Sequence, residues 1–182
     1  MFECWKFGEL VNRLRNGTLT DRDRELLKEL TLVSGWDEED KIRELLGMID
    51  YAELHRKYLR EAYELKEKGD FVNAGKKLWG AVVALLKEAL SDAPHTDEWI
   101  EWTRQIIDKY ITRYGKGLKD VLRELLDRAW SLYDFSMYSD ADTETFEYIW
   151  DRVMESLQKA NVALGGDVEE DKFDKYLDSV GL

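Results

Sequence analysis

Two sets of residues in this sequence could support ligand binding or catalysis. The first is a single histidine, His55. An imidazole titrates near neutrality, so His55 suits proton transfer or ligand contact. His55 also shares a helical face with Leu59 and Ala62, where a histidine is more often a satisfied core or interface residue. His55 is therefore a candidate binding residue, and we assign a catalytic role to no residue.

The second group combines tryptophans with lysines. Trp99 and Trp102 are three residues apart and share one helical face, while Trp79 follows Lys76 and Lys77 closely. Aromatic rings with cations beside them can line a groove for a nucleobase or a partner peptide. Burial in the core is the alternative interpretation. With His55, the candidate binding residues are Lys76, Lys77, Trp79, Trp99 and Trp102.

Motifs for metal, cofactor and nucleophile sites are incomplete. A single cysteine, Cys4, allows neither an intramolecular disulfide nor a cysteine-based zinc site. The acids of 140–144 alternate as in a calcium loop, but Thr145 stands where the EF-hand requires glycine. Neither a glycine-rich phosphate loop nor a Glu-x-x-His pair occurs. We therefore predict no cofactor and no metal site.

Composition and charge narrow the class of protein. A net charge of −12 disfavours binding to nucleic acid or to an anionic membrane. The N-terminus does not read as a signal peptide, and no apolar run is long enough to span a bilayer. One cysteine favours a reducing cytoplasm, and a charged fraction of 36% favours a thermophilic source.

Apolar residues recur with a helical period along the chain, which contains only one proline. The sequence therefore predicts one all-α domain, an antiparallel helical bundle with extra N-terminal helices. Residues 1–35 form the N-terminal helical extension, 37–164 the bundle core and 167–182 a tail helix. The predicted helices are 8–16, 20–33 with Thr20 as N-cap, 37–68 capped by Asp37, 71–90, one carrying Trp99 and Trp102, 118–133 and 143–164.

A helix break is predicted at Gly69-Asp70. Gly69 suits the left-handed position after a helix, and Asp70 suits the N-cap of the next one. The helix that follows, 71–90, is apolar on most of its circumference, which indicates a central position in the bundle.

The same region carries a family resemblance. The residues that carry it are Gly69, Asp70, Phe71, Ala74, Lys76, Lys77, Trp79 and Ala81. With the segment 129–160 they resemble the archaeal PaREP family, which is placed among HEPN-type four-helix proteins, over roughly 50–163. The resemblance implies an archaeal, HEPN-like bundle more than an activity. The turn also resembles one tetratricopeptide repeat, but no second copy follows.

HEPN ribonucleases resemble one another in an arginine that is followed, a few residues later, by a histidine. His55 lacks an arginine at that distance, because Arg43 lies too far upstream, and His95 lacks one as well. The sequence therefore predicts no metal-independent ribonuclease activity.

Our leading hypothesis is a non-catalytic HEPN-like module that acts by self-association and by binding a protein partner or a nucleotide. The partner implied is a nucleotidyltransferase or an antitoxin. Two alternatives stay open, an RNA- or nucleotide-processing enzyme with a non-standard site and a tetratricopeptide-like peptide adapter. A homodimer is expected because Leu54, Tyr58 and Leu65 form a second apolar set beside the central helix. N-terminal helices folded over that surface would instead keep the chain monomeric.

Overall fold

The structure, a computed structural model, describes residues 4–30, 35–89, 116–138 and 142–164. These residues form seven α-helices and no strand, which confirms the all-α prediction. The helices are α1 (Cys4–Arg15), α2 (Asp21–Leu30), α3 (Glu38–Leu45), α4 (Tyr51–Glu67), α5 (Phe71–Ala89), α6 (Lys116–Ser136) and α7 (Thr143–Ala163). The predicted helix with Trp99 and Trp102 and the predicted tail helix fall outside the described residues.

Helices α4 to α7 form a bundle around one apolar core. In this bundle α4 packs against α5, α5 against α6, and α6 against α7. Helix α7 also reaches α4, because the rings of Tyr63 and Trp150 meet edge to face with centroids 5.2 Å apart. Short connections within the α4–α5 and α6–α7 pairs make the members of each pair antiparallel.

Helix α5 lies at the centre of the bundle, as its apolar circumference predicts. Its side chains are buried on nearly all sides between Ala74 and Lys87. Gly75 allows the close approach of α6, since a Cβ atom there would lie 2.3 Å from the Oγ atom of Ser136. A larger residue at Gly75 would force these two helices apart.

The single helix predicted over 37–68 is wrong, because the structure divides this stretch into α3 and α4. Gly47 has a φ of 67° and follows α3 in a Schellman motif, in which the Met48 N–H donates to the Arg43 carbonyl. Asp50 then caps α4 by accepting from the Glu53 N–H at 3.0 Å. The apolar spacing from Ile42 to Ile49 continues the helical period across this break and so concealed it.

The predicted break at Gly69-Asp70 is confirmed and has the same construction. Gly69 has a φ of 75°, and the Asp70 N–H donates to the Leu65 carbonyl at 2.9 Å. The Asp70 carboxylate accepts from the Asn73 N–H at 3.2 Å and so caps α5. The tight turn lays α4 and α5 side by side.

The N-terminal helices α1 and α2 are joined by polar contacts around Asp23. Thr20 caps α2 as predicted, since its Oγ1 accepts from the Asp23 N–H at 3.2 Å. The buried Asp23 carboxylate accepts two hydrogen bonds from Arg13, at 2.9 and 2.8 Å. The bonds from Arg13 and then Thr20 hold the pKa of Asp23 well below its usual range.

Candidate functional site

Residues 35–45, here called the strap, contain α3 and lie across the α4–α5 hairpin. Trp36 is 4% exposed, and its indole N–H donates to the Gly80 carbonyl at 2.8 Å. Its ring stacks on the Tyr58 ring with centroids 6.4 Å apart. Gly35 has a φ of 103°, and a Cβ atom there would lie 2.1 Å from the Lys76 carbonyl oxygen. The strap backbone therefore lies directly against α5.

Asp37 joins the strap to both helices of the hairpin. Its carboxylate accepts hydrogen bonds from Lys57 at 3.0 Å and from Lys77 at 2.7 Å. Burial acts to raise the pKa of Asp37, but these two bonds outweigh it and leave the pKa below the usual value. Asp37 holds the N-cap position of α3, yet its side chain makes no capping bond, contrary to the sequence prediction.

Tyr58 connects the strap backbone with a strap carboxylate. Its hydroxyl donates to Asp40 at 2.6 Å and accepts the Asp37 N–H at 2.6 Å. Burial, and then the hydrogen bond to Asp40, raise the pKa of Tyr58 far above its usual value, so the hydroxyl keeps its proton. The ammonium groups of Lys57 and Lys77 lie 4.8 and 4.5 Å from the centroid of the Tyr58 ring.

A buried ion pair anchors the other end of the strap. The side chains of Lys87 on α5 and Glu44 on α3 are 6% and 7% exposed, and the ammonium group contacts the carboxylate directly. The Tyr51 hydroxyl donates to the same carboxylate oxygen at 3.0 Å. Burial lowers the pKa of Lys87, although Glu44 opposes this shift. The Lys87 ammonium group also lies 5.2 Å from the Trp36 ring.

A cleft of about 340 Å³ lies between α3 and α4. Its polar lining consists of the basic residues Arg43, Arg56, Lys57 and Arg60 and the acidic residues Glu39, Asp40, Asp50 and Glu53. Two of the carboxylates are already engaged, since Asp40 binds Tyr58 and Lys57 while Asp50 caps α4. Arg56 is exposed and forms no ion pair with another described residue. The cleft therefore offers a cation to a ligand.

The structure separates the predicted site residues. His55 is 4% exposed, and its Nδ1–H donates to the Ala81 carbonyl at 2.8 Å. Burial lowers the pKa of His55, so the neutral imidazole is favoured in the core. Trp79 is also buried, with its ring centroid 5.3 Å from that of Trp130. Lys77 belongs to the strap contacts and Lys76 is half-buried beside the strap, while Trp99 and Trp102 lie outside the described residues.

Two of the three residues that motivated the predicted homodimer are buried, and Leu65 is half-buried. Leu54 and Tyr58 are 4% and 0% exposed, and Trp36 stacks on Tyr58. The ring that covers Tyr58 therefore belongs to the strap rather than to α1 or α2. The homodimer itself remains a prediction.

Sequence reasoning missed most residues of the strap contacts. The sequence predicts only a helix cap at Asp37, and no role was assigned to Trp36, Asp40 or Glu44. One signal was available, because Asp40 and Glu44 are one turn apart and Lys87 directly follows the run 78–86, which contains no charged residue. A buried cation requires a carboxylate partner, but the sequence does not say which one.

Neither a metal cluster nor a membrane span is found in the described part of the chain. Its residues contain no group of three or more histidine, cysteine or acidic side chains placed to hold a metal ion. Its helices include none that is long and apolar enough to cross a bilayer.

A comparison with protein families matches residues 50–156 to the archaeal PaREP1/PaREP8 family. The match confirms the resemblance found in the sequence, and it begins at the N-cap of α4, so it leaves the strap outside. No curated protein and no solved structure matches the chain significantly.

Proposed function

We propose that this chain, which belongs to the archaeal PaREP1/PaREP8 family, is a non-catalytic, HEPN-like binding module. Its ligand is a small phosphorylated molecule such as a nucleotide, bound in the cleft between α3 and α4. The observation that carries the proposal is the exposed guanidinium group of Arg56, which lines this cleft and has no ion-pair partner among the described residues.

Arginine is suited to this ligand because its planar guanidinium group binds phosphate oxygens through two parallel hydrogen bonds. Arg56 and Arg60 are one helical turn apart on α4, so both point to one side of that helix. Arg43 reaches the cleft from α3, and its side chain is 45% exposed. Arginines of two helices thus line the same cleft, where Arg43 also contacts the Asp40 carboxylate at 3.6 Å.

Size and charge favour a small anion over a nucleic acid chain. A cleft of about 340 Å³ lies near the lower end of the range of ligand pockets, roughly 300–1,000 Å³. The net charge of −12 repels a long polyanion, whereas a single phosphate group meets mainly the local field of the arginines.

Isothermal titration calorimetry with AMP, ATP and pyrophosphate tests the proposal. We expect the wild type to bind at least one of the three, and Arg56→Ala and Arg60→Ala to weaken that binding about tenfold each, or about 1.4 kcal/mol. Arg152→Ala is the matched control, because Arg152 is an exposed arginine on α7 and does not line the cleft.

Two results would contradict the proposal. The first is the absence of binding to any of the three compounds at low salt, where phosphate contacts are strongest. The second is equal affinity for the wild type and the Arg56→Ala variant, which would place the ligand elsewhere.

A further inference from the structure

The face of the hairpin beneath the strap has the features of a binding groove, here called the strap groove. Every group that holds the strap belongs to α4 or α5: the Gly80 carbonyl, the Tyr58 hydroxyl and the ammonium groups of Lys57, Lys77 and Lys87. They meet one indole and three carboxylates, from Trp36, Asp37, Asp40 and Glu44.

The groove selects its occupant by shape. Gly80 leaves room for an indole ring, since a Cβ atom there would lie 3.0 Å from the Cδ1 atom of Trp36. The Gly80 carbonyl accepts the indole N–H, which a phenylalanine side chain cannot donate. The occupant must also pass close to α5 without a side chain, as Gly35 does.

The groove also selects its occupant by charge. Lys87 is buried, and a buried ammonium group without a carboxylate is strongly unfavourable. Asp40 and Glu44 satisfy Lys57 and Lys87 from one face of α3, because they are one turn apart. A helix that fits the groove therefore carries an indole followed by carboxylates with the spacing of the strap.

The strap is held less firmly than the bundle it covers. Helix α3 has eight residues, too few for a stable helix without tertiary contacts. The ion pair between Asp37 and Lys57 is 49% and 40% exposed, so it contributes little. The attraction between Glu44 and Lys87 is offset by the desolvation of both charges. Local opening of the strap thus costs less than global unfolding.

We infer that the strap groove is a docking site for an acidic, tryptophan-bearing amphipathic helix of a protein partner. The strap occupies this site within the chain and is exchanged for the partner helix. The cleft of the proposed anion shares α3 and Lys57 with the strap groove, but the peptide test below needs no anion, and Arg56 and Arg60 make none of the strap contacts described above.

The test uses the full chain and a fluorescein-labelled peptide with the sequence of residues 34–48. Gly35→Val displaces the strap, because its side chain would meet the Lys76 carbonyl oxygen. In fluorescence anisotropy we expect this variant to bind the peptide at least tenfold more tightly than the wild type. A control peptide with lysine at the positions of Asp40 and Glu44 should not bind.

A second variant keeps the test decisive if Gly35→Val does not fold. Asp40→Asn combined with Glu44→Gln removes the two strap carboxylates that pair with Lys57 and Lys87, and it changes no residue of α4 or α5. Circular dichroism confirms that each variant retains its helices. Equal peptide affinity of the wild type and both variants, or binding of the control peptide, would overturn the inference.

Light scattering on the wild type and both variants tests the other occupant that has this chemistry. A second copy of the wild-type chain carries an intact strap, so exchange of straps would double its mass from 21.4 kDa without any peptide, whereas the altered straps of the variants could not dock in this way. A doubled mass of the wild type alone would assign the groove to a second copy and overturn the partner helix. The same mass for the wild type and the variants, together with peptide binding, supports the partner helix.

Discussion

Helix α5 is buried on two sides by two different kinds of contact. Toward α6 the contacts are apolar and aromatic, such as the pair of Trp79 and Trp130 with ring centroids 5.3 Å apart. Toward the strap they are ion pairs and a hydrogen bond from an indole group, such as the pair of Lys87 with Glu44 and the bond from Trp36 to the Gly80 carbonyl. Both sets of contacts exclude water from α5. The contacts toward α6 do so mainly by apolar packing, whereas those toward the strap pair each polar group with a partner.

The apolar contacts between helices maintain the bundle. The polar contacts hold the strap, the segment that we infer to be exchanged for a partner helix. Apolar packing is non-directional, and its free energy grows with the area buried. Polar contacts require particular partners, and their strength is largely offset by desolvation. The family match covers the apolar side and the lysines of the strap groove but not the strap itself.

The largest loss of stability is expected for a substitution in the apolar core of the bundle. Phe146 is fully buried on α7, with its ring centroid 4.6 Å from that of Phe71. Phe146→Ala should lower the free energy of unfolding by about 3–5 kcal/mol, because it leaves a cavity in the core. Urea denaturation measures the loss. Tyr148→Ala, at a 65% exposed position on the same helix, should change stability by less than about 0.5 kcal/mol. A loss below about 1 kcal/mol for Phe146→Ala would remove the contrast between the two sides.

An intermediate loss of stability is expected for a substitution in the strap. Glu44→Gln leaves Lys87 without its carboxylate, a change that costs about 3–5 kcal/mol in a fixed core. Because the strap can open and expose Lys87 to water, we expect a loss of only about 2 kcal/mol. Hydrogen exchange should quicken in α3 and stay unchanged in α5 to α7.

The matched control replaces both charges. Glu44→Met combined with Lys87→Met should restore stability, since removing both members of a buried pair leaves no unpaired charge. Unchanged hydrogen exchange in α3 for Glu44→Gln would show that the strap does not open as a unit.

The smallest effect concerns His55, which is buried between α4 and α5. Its folded pKa lies below the unfolded value of about 6.5 because burial disfavours the charged ring. The contribution of neutral His55 to the free energy of unfolding is therefore complete above about pH 6.5. It is lost as the pH falls below this value, by up to about 1.4 kcal/mol per pH unit. His55→Asn should flatten this slope between pH 7 and pH 5 in urea denaturation, and parallel slopes for the two proteins would contradict the assignment.

Local signals in the sequence were sufficient for much of the fold. Gly69 with Asp70, and Thr20 before α2, mark helix boundaries through groups within a few residues, so they can be read directly. Gly47 and Asp50 carry the same signal, but the apolar period that runs through them favoured one helix. Boundaries are therefore predictable where capping and periodicity agree.

The strap contacts were not predictable in the same way. Glu44 and Lys87 are 43 residues apart in sequence, and their pairing depends on how α3 lies on the hairpin. The apolar circumference of α5 did not decide which neighbour each face meets. Trp79 and Lys77 were therefore grouped from their spacing, although Trp79 faces α6 and Lys77 faces the strap.

The Gly69-Asp70 turn also bears on the order in which the chain folds. It joins α4 to α5 through a few residues, so closing this loop costs little chain entropy. Contacts between α5 and α6 require the ends of a much longer segment, residues 90–115, to meet first. We therefore expect the α4–α5 hairpin, which carries the strap groove, to form before the rest of the bundle.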